Sequence, residues 1–279
     1  AFGDVTLFLE RYVGNARHVE VQVLADNYGN VVHLGERDCS CQRRYQKLVE
    51  EAPAVALADG LRQSICQAAV SLARALDYRG AGTMEFLVDL DRESFSFLEV
   101  NTRVQVEHPV TEMITGVDIV REQLRIAGGA ELSVSQEDVQ SGGDAIECRI
   151  NAEQPAAGFL PSPGTISQWT MPAGAGIRID SHCHDGFEVG AHYDSMIGKL
   201  ICWGESRDAA VLRMYRALER VRVEGVDTTA AFLRDLVGNA LTYASDRTLI
   251  VLHLNCASPV GELSVDALLP PHLRRRRAQ

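Results

Sequence analysis

The chain has 279 residues, 46% of them hydrophobic and 23% charged, a size and balance that suit one large soluble globular domain or two ordinary ones. A formal net charge of −11 argues against nucleic acid as a partner, and no apolar run approaches the ~20 residues that span a bilayer, so no membrane segment is expected. The opening "AFGDVTLFLERYV" has neither an initiator Met nor the basic start and small-residue cleavage site of a secretory signal, and is expected to begin inside a longer protein.

In chain order, "HVEVQVLAD" alternates strictly, "NYGN" is turn-like and "VVHL" resumes a strand, which predicts a hairpin. From Asp59 to Tyr78 the apolar residues Leu61, Ile65, Ala69, Leu72 and Leu76 recur at helical spacing, with Asp59 as N-cap. "GTMEFLVDL" and "SFSFLEV" read as two strands joined at "DRE". Asp118 is placed to cap a helix running through Val120, Leu124 and Ala127, which Gly128 and Gly129 would end. The stretch "SVSQEDVQSGGD" at 133–144 reads as a linker. Beyond it come short strands in "AIECRINAE", "GTISQWTM", "GIRIDSH" and "SMIGKLICWG". A helix capped by Ser206 and carrying Leu212, Tyr215, Leu218 and Val221 follows, then a second around Phe232, Leu233 and Leu236. The ending "PPHLRRRRAQ" reads as a solvated basic tail. The seven cysteines are odd in number and scattered, and Cys39 and Cys41 do not form a C-x-x-C pair, so a reduced, cytoplasmic protein is expected. "HCH" at 182–184 alternates its faces on a strand and is assigned no metal.

The segment "EVNTRVQVEHPVTE" at 99–112 holds the densest chemistry. If extended, it places Glu99, Asn101, Arg103, Gln105 and Glu107 on one face and Val100, Val104 and Val106 on the other. Folding the two preceding strand-like runs about Arg92 brings Glu85 opposite Glu99, with Cβ atoms roughly 4.5–5.5 Å apart. Two carboxylates so placed repel unless a cation lies between them, and Asn101 adds a neutral oxygen. The set describes a hard-cation site, best suited to Mg²⁺ or Mn²⁺. The plainer alternative has both acids in water, neutralised by Arg92 or Arg103. Arg103, Gln105 and Glu107 alongside supply an anion clamp and a base, the parts needed for phosphoryl transfer.

These residues, with "LGERDCSCQRRYQKLVEEAP", "RGAGTMEFL", "ECRINAE", "FLPSPGTI" and "YDSMIGKL", resemble the biotin carboxylases, the ATP-grasp ligases of acetyl-CoA, propionyl-CoA, pyruvate and urea carboxylases. The resemblance runs from about residue 1 to about 235. It implies an α+β fold: the C-terminal half of an ATP-grasp domain (1–140), a strand-rich biotin carboxylase C-terminal domain (141–250) and a tail (251–279). It also implies ATP- and bicarbonate-dependent carboxylation of biotin on a carrier, through carboxyphosphate, in two stages. Glu85, Glu99 and Asn101 match the metal ligands and Arg103 the catalytic arginine. Lys47, Arg103, Gln105 and the backbone of Val106 match the bicarbonate pocket, and Glu107 matches the base that deprotonates bicarbonate. Glu10, Arg11, Tyr12 and Val13 match the hinge at adenine, His18, Gln42 and Tyr45 further nucleotide contacts, and Arg149 the arginine that holds biotin and stabilises its enolate. Implied partners are a biotin carboxyl carrier protein or domain, a carboxyltransferase and, as family members often dimerise, a second copy of the chain.

Two departures from the family pattern stand out. Tyr45 occupies a position that is histidine in many relatives, and it cannot be cationic near neutral pH. No glycine-rich lid is found, so an N-terminal biotin carboxylase region is expected to be missing and turnover by the chain alone to be slow or nil. Two other readings remain open at this point: a non-catalytic assembly module of a carboxylase, and another ATP-grasp ligase such as a carbamoyl-phosphate synthetase.

Overall fold

The computed structural model describes residues 12–13 and 15–242. The expected hinge residues Glu10 and Arg11, the tail and Cys256 lie outside the described residues. Eight strands form one antiparallel sheet: β1 (Ala16–Ala25), β2 (Val31–Arg43), β3 (Gln46–Ala52), β4 (Gly80–Asp89), β5 (Ser94–Asn101), β6 (Asp144–Asn151), β7 (Ile177–Asp180) and β8 (Met196–Gly204). Their order across the sheet is β7-β8-β6-β3-β2-β1-β4-β5. The β3–β6 pairing, Val49 to Cys148 and Glu50 to Glu147, joins strands from before and after the 133–144 stretch into a single ladder. That stretch is irregular but anchored, since the Gln136 side chain accepts from the His33 N–H and donates to its carbonyl.

Five helices flank the sheet among the described residues: α1 (Asp59–Ala75), α2 (His108–Thr115), α3 (Ile119–Ala127), α4 (Arg207–Leu218) and α5 (Ala230–Thr242). α1 packs Ile65, Ala69 and Val70 against Val19, Val21 and Val23 of β1 and Met84 and Phe86 of β4. On the same side of the sheet, α4 and α5 pack Val211, Met214, Leu233 and Leu236 against Cys148 and Leu200. The other side receives α2 and α3 and carries the acids described below. Both faces of the central strands are therefore covered, and Arg17, Glu20 and Gln22 of β1 are buried with its apolar residues. No described helix is long and apolar enough to cross a membrane.

The first hairpin forms as expected, and so does the cap at Asp118, whose carboxylate accepts from the Arg121 N–H. Ser206 likewise accepts from the Ala209 N–H at the start of α4. Three details differ. α1 has Ala58, not Asp59, at its N-cap and ends at Ala75, leaving Leu76 exposed. α3 buries Ile119, Glu122 and Ile126, while Val120 and Leu124 face outward. The helix turns inward because the Glu122 carboxylate is satisfied there by the Ser133 N–H and hydroxyl. The third difference is in the segment after Glu99. The strand stops at Asn101 and α2 starts at His108 with Glu107 at its N-cap, so Arg103, Gln105 and Glu107 do not share a strand face. Pro109 in the first turn of α2 favours a helix start there, since its fixed φ suits the first turn and the N–H it lacks would have no partner within the helix.

Candidate active site

β4 and β5 pair with Glu85 directly opposite Glu99, the pair expected from folding the hairpin about Arg92, although nearer the turn the ladder is offset by one residue, with Phe86 opposite Phe97. Glu85 is buried and Glu99 exposed, and the Asn101 amide bridges them, its Nδ2 donating to Glu85 Oε1 at 2.8 Å and Glu99 Oε1 at 3.3 Å. Half a turn of the amide would present Oδ1 in place of Nδ2. Two carboxylates and an amide then form an all-oxygen set that fits Mg²⁺ or Mn²⁺, with a remainder for water and phosphate. Arg103 lies beside this set, exposed, donating to Asn101 Oδ1 and to the Val104 carbonyl, both at 3.3 Å.

Glu85 is saturated with donors. Oε1 accepts from Gln105 Nε2 and Asn101 Nδ2, each at 2.8 Å, and lies 3.4 Å from Lys47 Nζ, while Oε2 meets His18 Nε2 at 2.6 Å. His18 Nδ1 meets Gln42 Nε2 at 2.6 Å, an amide donor, so the ring carries its proton on Nε2 and donates it to Glu85. Burial alone would raise the Glu85 carboxyl. The hydrogen bond from His18 and the charge of Lys47 reverse this and hold it at about 2.

Lys47, at the start of β3, is the centre of a buried cluster. Its Nζ donates to Glu107 Oε1 at 2.5 Å and to Glu20 Oε2 at 2.7 Å. Burial opposes its charge, but Glu20, Glu107 and Glu85 override this and push the ammonium well above its ordinary value. The other Glu107 oxygen accepts from Arg149 Nη2 at 2.9 Å, and Arg149 Nε donates to Glu50 at 2.6 Å. Glu107 is thus held between two cations, one on each oxygen. Lys199 Nζ donates to the Val106 carbonyl at 2.7 Å and fixes the turn that presents Glu107.

The structure therefore brings together Glu85, Glu99, Asn101, His18, Gln42, Gln105, Lys47, Glu107 and Arg149, with Val106 at the edge. Tyr45, 94% exposed at the tip of the β2–β3 hairpin, and Tyr12, which is also exposed, make no side-chain hydrogen bond to this cluster. Val13 is half-buried.

The sequence reading missed Glu20 and Arg37. Arg37, 0% exposed, donates to Glu20 at 2.7 Å, Gln22 at 2.9 Å, Thr111 at 3.0 Å, Gln105 at 3.2 Å and Thr83 at 3.3 Å. It fixes Glu20, hence Lys47, and Gln105, hence Glu85. The available signal was His18, Glu20 and Gln22 alternating with valines. It fails alone because a strand with one wet face shows the same pattern. Ligand atoms of His18, Glu20 and Glu85 lie within 4.8 Å of one another, as do those of Glu20, Cys39 and Glu107. Lys47 and Arg37 already occupy Glu20, so a divalent ion there would meet two cations at contact distance. The Glu85–Glu99–Asn101 set has the better chemistry for a metal.

Comparison with known proteins matches residues 1–135 to the ATP-binding domain of the carbamoyl-phosphate synthase L chain and residues 147–251 to the biotin carboxylase C-terminal domain. Biotin carboxylase 1 of Bacillus subtilis (strain 168) is 53% identical over 232 residues, 83% of this chain and 52% of the relative. The biotin carboxylase of Haemophilus influenzae is 53% identical over 228 residues, 82% of this chain and 50% of its own length. The chain spans about half the length of the curated relatives it matches. Among solved structures, the biotin carboxylase domain dimer of Hydrogenobacter thermophilus 2-oxoglutarate carboxylase, in complex with MgADP, ADP and bicarbonate, superposes with a TM-score of 0.81 at 50% identity. It covers 86% of this chain and 52% of that one.

Proposed function

The chain belongs to the biotin carboxylase family, and from that premise we propose that it forms part of an enzyme that carboxylates biotin on a carrier protein, using ATP and bicarbonate through carboxyphosphate. The observation that carries this reading is the placing of Glu107 between Lys47 and Arg149, next to a carboxylate set suited to a nucleotide-bound metal. In this reading Lys47, Arg103, Gln105 and the Val106 backbone receive bicarbonate, whose charge the two cations offset. Glu107 takes its proton, and the resulting anion attacks the γ-phosphorus of ATP, forming carboxyphosphate as the bond to the ADP oxygen breaks and ADP leaves. Glu85, Glu99 and Asn101 would hold Mg²⁺ or Mn²⁺, which when bound offsets charge on the nucleotide phosphates. Glu10 to Val13 would meet adenine, and His18, oriented by Gln42, would contact the nucleotide. Carboxyphosphate then splits into CO₂ and phosphate, biotin's ureido nitrogen loses its proton to that phosphate and bonds to CO₂, and Arg149 offsets the charge that develops on the ureido oxygen.

We assign residues 1–140 to the ATP-grasp part and 141–250 to the C-terminal domain. Expected partners are a biotinyl carrier, a carboxyltransferase and a second copy of the chain. A cytoplasmic setting accords with six free thiols among the described cysteines. The final carboxyl acceptor belongs to the transferase partner.

The test is ATP hydrolysis by the chain mixed with the N-terminal half of the Bacillus subtilis relative. Hydrolysis should require bicarbonate, rise with biotin and fall at least 100-fold in Glu107→Gln. Hydrolysis indifferent to both bicarbonate and Glu107→Gln would refute the reading.

A further inference from the structure

Beside α2 the sheet buries two carboxylates to which the proposed reaction gives no part. Glu50 on β3 and Glu147 on β6 are direct partners in the antiparallel ladder, so both side chains leave the sheet on the same face, Cβ atoms roughly 4.5–5.5 Å apart. Both are 0% exposed. Glu50 Oε1 accepts from Arg149 Nε, whereas Glu50 Oε2 and both oxygens of Glu147 have no protein hydrogen-bond partner. Around them, Ala52, Ala145 and Ile201 of the sheet pack with Val110 and Ile114 of α2 into an apolar cluster.

The charged and titratable groups that act on the pair are few. Arg149 on β6, Lys199 on β8, Lys47 on β3, Glu107 at the start of α2 and Cys39 on β2 surround it, and the buried thiols of Cys41 on β2 and Cys148 on β6 also feel its charge. The titratable side chains of α2 turn elsewhere, His108 to the Gln105 carbonyl and Glu112 to Arg178. Arg149 is thus the one cation hydrogen-bonded to the pair among the described residues, and it is shared with Glu107. Two adjacent full charges in such a slot would be strongly unfavourable, and three orphaned carboxylate oxygens would add to the cost.

We propose that Glu50 and Glu147 hold a single proton between them at neutral pH, the Glu147 carboxyl donating to the free oxygen of Glu50, and that the pair acts as a positioning device for Arg149. One O–H···O⁻ bond satisfies an oxygen on each residue and leaves a single negative charge. Arg149 Nε matches that charge, which sets the guanidinium so that Nη2 points at Glu107. Burial pushes both carboxyls upward, Glu147 well above the ordinary range, and the neighbouring Glu50 pushes Glu147 further the same way. A carboxyl raised in the folded state contributes stability that is complete below about 4.5 and is lost as pH rises through the folded value.

The proton sharing rests on the fold and is tested without substrate, so its failure is distinct from failure of the proposed reaction. Infrared difference spectra of wild type and Glu147→Gln at pH 7 should show the carbonyl stretch of an un-ionised carboxyl in the wild type, absent from the variant. Glu147→Gln should also gain in Tm relative to wild type between pH 5 and pH 9, because the amide can still donate to Glu50 but has no proton to lose. For the positioning role, the Arg149 Nε–H resonance, assigned by its absence in Arg149→Lys, should stay in place in Glu147→Gln and move in Glu50→Gln. The inference is overturned by unchanged carboxyl absorption, by a Tm difference that does not vary with pH, or by an Arg149 resonance unmoved in Glu50→Gln. Should Glu147→Gln fail to fold, the wild-type carbonyl band must shift in Glu50→Gln, which weakens its acceptor, and a band that stays put is equally fatal.

Discussion

Replacing Arg37 by Met keeps much of the side-chain volume but removes a charge and five donated hydrogen bonds from a position with no solvent exposure. Glu20, also 0% exposed, would keep only Lys47 as a cationic partner, and the amide oxygens of Gln22 and Gln105 would lose the guanidinium. Leaving a buried charge short of its partner costs about 3–5 kcal/mol, and each orphaned acceptor about 1–3, with incomplete additivity. A total of about 4–6 kcal/mol follows, or roughly 8–24 °C in Tm for a protein of this size. Urea and thermal unfolding of Arg37→Met, Glu20→Gln and the double variant would measure it. If the penalty is an uncompensated carboxylate, the double variant is more stable than Arg37→Met by at least about 1 kcal/mol, since the orphaned charge has gone. Loss below about 1 kcal/mol in Arg37→Met, or a double variant no better than the single, would refute the reasoning.

Acid should destabilise the fold through Glu20. Burial raises its carboxyl, but Arg37 and Lys47 overcome this and hold it at about 2, so its stabilisation is present above about 4.5 and disappears as pH falls towards 2. The contribution is about 3 kcal/mol, and Glu20→Gln should flatten the Tm profile between pH 5 and 2.5. Arg44 and Tyr45 have φ of 48° and 65° at the tip of the β2–β3 hairpin, where Asn-Gly is the favoured pair. Arg44→Asn with Tyr45→Gly should therefore raise stability by about 1–2 kcal/mol in urea titrations. Arg149→Lys retains the charge but cannot reach both Glu50 and Glu107. Kinetic assays with free biotin, on the chain mixed with the N-terminal half of the Bacillus subtilis relative, should show a rise of about tenfold or more in its KM, with the far-ultraviolet circular dichroism of the chain unchanged. Glu85→Gln should weaken MgADP binding by about tenfold in calorimetry, since it removes one of two carboxylates from the ion.

The sequence by itself determined what depends on near neighbours. Folding the β4–β5 hairpin symmetrically about Arg92 pairs Glu85 with Glu99 before any fold is known, but the ladder reaches that pair through a one-residue register shift between Phe86 and Glu85 that alternation does not announce. The caps at Asp118 and Ser206 are equally local, each a side chain reaching an N–H three residues on. Tertiary structure alone decided what each face meets. Periodicity shows that His18, Glu20 and Gln22 share a side of β1 but not that the side is buried under loops and helices, where Arg37 becomes indispensable to Glu20. It also leaves unstated that Val120 and Leu124 face outward while Glu122 finds donors inside. The pairing of Glu50 with Glu147 joins residues almost a hundred positions apart, and its consequence comes from the dielectric around it. A carboxylate's charge state depends on the water it has lost and the cations it has gained, and both are set by chain segments that no local pattern can bring together.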